Sequence, residues 1–364
     1  MTKNKAKALY IHIPFCNEIC DYCDFQKLQY FRNIAQKYLN ILFYELHNEV
    51  VDEVSTIYIG GGTPTALDDD LFEELLEEVS KYSHGQEFTV EANPESLSVI
   101  KISLMKKYGV NRVSIGVEST NDEILKSINR HHRWSDVKAA VKNLRKAGIN
   151  NINLDLILGL PNVSIKMLEK DINNILSLKP NHISCYSLTV HEHTVFFLNG
   201  ITEPTEEFSY EAYKMVDTIL KEAGYEHYEV SNWSLPGYRS EHNLTYWRNE
   251  EYYGLGLGAS GYIKDQRYKN TTNLDRYLKG ENNKEIEVVN LSDKAEYQVM
   301  LNLRTLEGLN LEKFKKEYGY DLYEKNKGTI DSFIKDGYLT LEENILRPTF
   351  EGMMILDHII LKLI

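Results

Sequence analysis

The chain has 364 residues, 42% of them hydrophobic, enough for a large core, and its 41 basic and 54 acidic side chains give a formal charge of −13. That charge repels a phosphate backbone and argues against a nucleic-acid substrate. The apolar stretch behind the basic start Met-Thr-Lys-Asn-Lys-Ala-Lys is too short for a signal peptide and is broken by His12 and Pro14, and no segment approaches a membrane span; a reducing, cytoplasmic location is expected.

Runs rich in Val, Ile and Tyr recur at 8–13, 56–59, 88–91, 112–117, 152–158 and 182–188, each followed by a helical pattern. The alternation predicts a parallel sheet built from six strand–helix units. The first run leads into Ile-Pro-Phe-Cys16-Asn-Glu-Ile-Cys20-Asp-Tyr-Cys23-Asp-Phe, which packs three of the four cysteines into eight residues and leaves Cys185 apart. Where disulfides are disfavoured, such crowding reads as metal binding. Structural zinc takes four protein ligands, whereas three thiolates suit a 4Fe-4S cluster with one open iron. The spacing would also place the three on one face of a buried helix; Pro14, Asn17, Asp21 and Asp24 favour a loop. That loop falls at the C-terminal edge of the sheet, where α/β proteins carry their sites.

The second run ends in Gly60-Gly61-Gly62-Thr63, glycines that let a ligand approach the backbone and offer it amide hydrogens, or that form a plain turn. A helix is predicted over 71–80, with Phe72, Leu75, Leu76 and Val79 as its stripe and Asp68, Asp69 and Asp70 at its positive end. The next strands end in Glu91 and Asn93, in Glu118, and in Asp155 and Gly159. Any one of these could cap a helix; together along one edge they call for a shared bound molecule. A second helix is predicted from a Ser135 cap to a stop at Gly148. His191-Glu-His193 reads as a solvated loop, since adjacent His and Glu lack the helical spacing of a zinc site.

The aromatic, glycine-rich stretch 229–269 is expected to close one edge of the sheet; its Gly256–Gly261 matches GxGxxG but opens no helical pattern, which excludes a dinucleotide site. A polar connector over 270–290 precedes helices at 293–306, 311–318 and 322–336, a small hairpin and a final helix, an order that is winged-helix-like. The predicted division is 1–269, the connector 270–290, and a C-terminal domain over 291–364.

Leu9-Tyr-Ile-His-Ile-Pro-Phe-Cys16 with its CxxxCxxC loop, Gly60-Gly-Gly-Thr-Pro-Thr, Val90-Glu-Ala-Asn-Pro, Arg112-Val-Ser-Ile-Gly-Val and Leu154-Asp-Leu-Ile-Leu-Gly-Leu-Pro resemble radical S-adenosylmethionine proteins of the oxygen-independent coproporphyrinogen III oxidase group, over nearly the whole chain. The resemblance implies an α/β fold, a partial (β/α)6 barrel with a small α+β domain behind it. It implies that Cys16, Cys20 and Cys23 hold the 4Fe-4S cluster, whose open iron binds S-adenosylmethionine and whose electron cleaves it to a 5′-deoxyadenosyl radical. Tyr10, Gly61, Gly62 and Thr63 would contact the methionine end, and Glu91, Arg130 and Asp155 the rest. The family usually has Gln where Glu118 stands, so that residue is left out of the set.

Two branches share these motifs. The oxidases carry a further cysteine two residues after the third, where this chain has Phe25, and a longer extension than the nine residues before Tyr10. Both departures favour the haem chaperones. That branch has a His-Asn-x-x-Tyr-Trp sequence, matched by His242-Asn-Leu-Thr-Tyr246-Trp247. An imidazole can ligate haem iron and aromatics can cover a porphyrin, although a hydrogen-bonded loop histidine among packing aromatics fits the same pattern. The expected function is a chaperone that binds haem and passes it to an acceptor protein, with an electron donor serving the cluster. Porphyrinogen oxidation is the alternative, and a zinc-stabilised scaffold without catalysis the second.

Overall fold

The computed structural model describes residues 6–364, so most of the basic start lies outside it. Strands and helices alternate along the first two-thirds: β1 (Ala8–Ile13), α1 (Arg32–Glu49), β2 (Val54–Gly61), α2 (Asp69–Ser80), β3 (Ser83–Ala92), α3 (Val99–Lys107), β4 (Arg112–Glu118), α4 (Trp134–Lys146), β5 (Asn151–Leu158), α5 (Ile165–Ser177), β6 (His182–Ser187) and α6 (Glu206–Glu222). Strands β1 to β6 pair in parallel in chain order. Leu9, Ile11, Ile57, Ile59, Val90 and Val113 are fully buried, and they pack with helix residues such as Leu39, Leu42, Leu75, Leu76 and Val141 in one core. Polar residues alternate with them on the same strands, among them Tyr58, Glu91, Ser114 and Asp155, so each strand packs one face on the helices and turns a polar face away from them. The helix expected from a Ser135 cap starts at Trp134 instead, because the Asp136 carboxylate accepts the Arg133 N–H at 2.7 Å and closes the first turn sooner.

The glycine-rich extension flanks both edges of the sheet, not one. Strands β7 (Glu226–Glu229) and β8 (Asn232–Ser234) continue antiparallel beyond β6. The chain then crosses through α7 (Glu241–Trp247) to β9 (Tyr252–Leu255), which pairs in parallel with the other side of β1. Beyond it lie β10 (Ser260–Ile263), β11 (Gln266–Lys269) and β12 (Glu285–Val288), giving the order β12-β11-β10-β9-β1-β2-β3-β4-β5-β6-β8-β7. The GxGxxG segment therefore joins two strands, as its lack of a helical pattern required.

The polar segment 270–290 contains a short helix, α8 (Leu274–Leu278), as well as β12. Its polar side chains face a buried carboxylate. Glu45 of α1 accepts from the Gly256 N–H at 3.1 Å, Asn270 at 2.9 Å, Tyr277 at 2.7 Å and Asn282 at 3.0 Å. A buried acceptor of this kind needs donors, and the segment supplies them.

The C-terminal part has its own core, around Val299, Leu303, Phe314, Ile330, Leu346 and Ile359. It comprises α9 (Leu291–Asn302), β13 (Leu309–Asn310), α10 (Leu311–Tyr318), α11 (Leu322–Lys335), a hairpin of β14 (Leu339–Glu342) and β15 (Ile345–Pro348), and α12 (Leu356–Leu363). Glu343 and Asn344 turn the hairpin with φ of 49° and 63°, the left-handed pair of a two-residue turn. Arg248, just after α7, fastens this part to the sheet through Glu307 at 2.9 and 2.6 Å. Among the described residues no helix is long and apolar enough to cross a membrane.

Gly256 has φ +96°, and a Cβ there would lie 2.5 Å from Tyr38 Oη and 2.6 Å from the His12 carbonyl. Gly256→Ala is expected to cost about 2–4 kcal/mol in urea unfolding, strain and overlap combined. Gly85→Ala, with φ +87° and nothing within 4 Å, should cost only about 1 kcal/mol. Equal losses at the two positions would remove the packing argument.

Candidate functional site

The parallel register brings the strand ends together: Glu91 stands beside Ser114, Gly116 beside Asp155, and Asp155 beside Ser184. They open on a cavity of about 350 Å³ whose wall includes Cys16, Cys20, Cys23, Glu91, Arg130 and Asp155. The cysteines lie on a loop, not on a buried helix. A two-residue parallel ladder between Phe15–Cys16 and Leu28–Gln29 closes that loop at its base, and Asn129 holds the Ile19 carbonyl at 2.8 Å.

All three thiols are free. Thr63 Oγ1 donates to Cys16 Sγ at 3.5 Å, and Arg130 Nη1 donates to Cys20 Sγ at 3.6 Å. Burial pushes the Cys16 thiol up and that of Cys23 to about 11, a penalty that a bound cation reverses. Donors aimed at two sulfurs favour thiolates and tune a cluster bound through them. Among the described residues no three His, Cys, Asp or Glu side chains converge on a single-ion site. Three free thiols on one loop suit a multi-iron group with one open iron, whereas structural zinc takes four protein ligands.

The glycine turn differs from expectation. The Gly61 N–H donates to Glu91 Oε2 at 3.0 Å, the Gly62 N–H to the Ile13 carbonyl at 2.8 Å, and the Thr63 N–H to the Phe15 carbonyl at 2.8 Å. These amides are spent inside the protein, so the turn has only carbonyl oxygens left to offer. The glycines serve close approach: a Cβ at Gly60 would sit 2.6 Å from the Glu91 carboxyl carbon, and one at Gly62 would sit 2.8 Å from the Pro14 backbone.

Glu91 also accepts from Tyr58 Oη at 2.7 Å, yet burial raises its pKa to about 7. Asp155 accepts from Ser114 at 3.0 Å and Asn153 at 2.6 Å and is likewise pushed up by burial. Arg130 donates to Asn93 Oδ1 at 3.0 Å and to the Gly116 carbonyl, and stands 3.5 Å from Glu118. Glu118 adopts φ +63°, sparsely populated for a non-glycine residue, where β4 and β5 slip register. Burial raises its pKa, and the charge of Arg130 opposes the rise.

Two expected residues do not reach the cavity wall. The Tyr10 hydroxyl lies 2.9 Å from His12 Nδ1, and its ring is 6.2 Å from that of Tyr58, which places it one side chain behind. His242 is 1% exposed, with Nδ1 2.9 Å from Thr56 Oγ1 and Nε2 2.6 Å from Tyr246 Oη. Its ring stacks on Tyr58 at 5.1 Å, and burial pulls its pKa down to about 3. Helix α7 is anchored there because Glu87 accepts the Glu241 N–H at 2.8 Å and the Ser240 hydroxyl at 3.2 Å. Both ring nitrogens are hydrogen-bonded to hydroxyls in this structure, and the ring buttresses Tyr58 and, through it, Glu91.

Tyr58, Ser114 and Asn153, which carry no motif of their own, also hold the site's carboxylates. Each stands two residues before a strand-end group, Gly60, Gly116 or Asp155, and so shares its face of the strand. That period of two was the available signal.

A family model for the radical SAM superfamily matches residues 10–175, and one for the HemN C-terminal domain matches residues 289–355. The chain is 41% identical over 324 residues to a protein of Lactococcus lactis named heme chaperone HemW, spanning 86% of each. It is 37% identical to the protein of that name in Bacillus subtilis, covering 96% of this chain and 97% of that one. Its fold is similar to that of the Escherichia coli coproporphyrinogen III oxidase HemN, with TM-score 0.86 and 20% identity over 99% of this chain and 90% of the other.

With its folded pKa near 7 against an ordinary 4.5, Glu91 keeps its proton in the folded state through the intervening range, so stability from this group falls as pH rises across it. Glu91→Gln stays neutral throughout. Between about pH 5 and about pH 8 the stability difference should move in favour of the variant by up to about 3 kcal/mol, measured by thermal unfolding. A difference independent of pH would show that Glu91 titrates normally.

Proposed function

The chain belongs to the radical S-adenosylmethionine family of the heme chaperone HemW, and on that premise we propose that it is a cytoplasmic haem chaperone that receives haem and passes it to an acceptor protein. The observation that carries this reading is the set of three free thiols around one cavity, two of them facing a donor, in a chain 41% identical to a protein named as a haem chaperone. Cys16, Cys20 and Cys23 would hold a 4Fe-4S cluster, which supplies one iron without a protein ligand for the amino and carboxylate groups of S-adenosylmethionine. An external electron donor would serve it.

The surrounding residues have roles that follow from their chemistry. The carbonyls of the glycine turn and the carboxylates of Glu91 and Asp155 suit an ammonium and hydroxyl groups, all donors. Arg130 supplies a fixed positive charge for a carboxylate. Glu118 partly neutralises it, where the family's usual Gln would not. Phe25, 65% exposed, stands where the oxidase branch has its further cysteine, which weighs against porphyrinogen oxidation.

Anaerobic reconstitution with iron and sulfide should give the broad thiolate-to-iron absorption in wild type and not in Cys16→Ala, Cys20→Ala or Cys23→Ala, and the wild type should bind haem in a titration. Decarboxylation of coproporphyrinogen III by the reconstituted wild type would replace the chaperone reading with the oxidase. Glu118→Gln should tighten S-adenosylmethionine binding about three- to tenfold in calorimetry, by removing a like charge beside the ligand carboxylate.

A further inference from the structure

If this chain carries haem, as proposed above, some group must meet the iron; His242 is buried with both ring nitrogens hydrogen-bonded, whereas an accessible imidazole binds without rearranging the core. Of eleven histidines, His12, His132, His182, His227 and His242 are buried. The other six are exposed, and among them His191 alone lines the cavity that holds the three cysteines. Its Nε2 lies 3.2 Å from Asp24 Oδ2, and the side chain is 48% exposed. A carboxylate on one ring nitrogen orients an imidazole and makes the other a stronger ligand.

The surroundings match the rest of a haem molecule. Phe25, next to Asp24, is a largely exposed aromatic on the same rim, and Lys27 adds a cation to the cavity wall. A four-residue helix, Val195–Leu198, sits against the cysteine loop, with the Phe196 N–H on the Asp21 carbonyl at 3.0 Å and the Phe196 ring 6.2 Å from Tyr22. Phe196 is buried in a small core with Ile124, Ile157 and Leu188, whereas Val195, Phe197 and Leu198 are 40, 48 and 77% exposed. Apolar surface gathered beside a polar cavity marks a binding surface. A porphyrin is a flat apolar plate with an open axial position on its iron and two anionic propionates, and it fits an imidazole, apolar side chains and a lysine.

We propose that haem docks across the mouth of the cysteine cavity, on Phe25 and the Val195–Leu198 helix, with His191 as its axial ligand. Asp24 acts through that imidazole as a positioning residue. Haem would then lie over the bound cofactors, so its loading and theirs would be coupled.

The test is a titration of the full-length protein with ferric haem, followed by absorption and electron paramagnetic resonance, in wild type, His191→Ala and His193→Ala. The wild type should give a histidine-ligated spectrum, His191→Ala should lose it, added imidazole should restore it, and His193→Ala should match wild type. Restoration by imidazole of the spectrum of haem that stays with the protein through gel filtration distinguishes a lost ligand from a misfolded loop. An unchanged spectrum in His191→Ala, loss in His193→Ala, or loss that imidazole fails to restore overturns the assignment and leaves the chaperone reading standing. A wild type that binds no haem overturns both.

Discussion

The guanidinium of Arg130 is where three separate stretches of chain are tied. It is 8% exposed and reaches Cys20 Sγ on the first loop, Asn93 beyond β3, and the Gly116 carbonyl and Glu118 at the end of β4. A cation removed from water this far is tolerated only while its acceptors are in place. The cysteine loop, Asn93 and the left-handed Glu118 therefore hold one another through a single side chain. Gly116 permits the approach, since a Cβ there would fall 2.8 Å from Glu118 Oε1 and 2.9 Å from Arg130 Nη2.

Around that tie stands a second layer of buried carboxylates, each satisfied by donors from a distant part of the chain. Glu91 locks the glycine turn of β2, Glu87 caps α7, and Glu45 gathers the segment behind β9. These contacts make the cavity wall rigid: Tyr58 is pinned by Glu91 on one side and by the His242 ring on the other. Rigid walls suit a site that must hold a charged cofactor without reorganising. The apolar helix at Val195–Leu198 is the contrast, packed on the cysteine loop through Phe196 while Val195, Phe197 and Leu198 stay exposed.

Much of this was legible in the chain because it rests on local patterns. The six strand–helix units, the aspartates at the start of α2, the loop carrying the cysteines and the C-terminal hairpin follow from periodicity, capping and turn chemistry. The glycine turn is legible in the chain and the partners of its amides are not, since whether an N–H is free depends on which carbonyl or carboxylate lies across from it. The same is true of His242. A histidine beside aromatics reads as a ligand or as a packed ring, and in this structure the ring is packed against Tyr58 and held by Thr56 and Tyr246, two of these three some 184 and 186 positions earlier in the chain.

By itself the sequence determined the parallel sheet, the triplet of thiols and the edge on which they lie, because strand period, cysteine spacing and loop position are short-range properties. Only the tertiary structure decided which polar groups face the cavity and which serve as its supports. Hydrogen-bond partners far apart in the chain compete for the same donors and acceptors, and burial makes each of those pairings obligatory. For that reason His242 stands behind the wall as a support, while the loop histidine His191 lines the cavity.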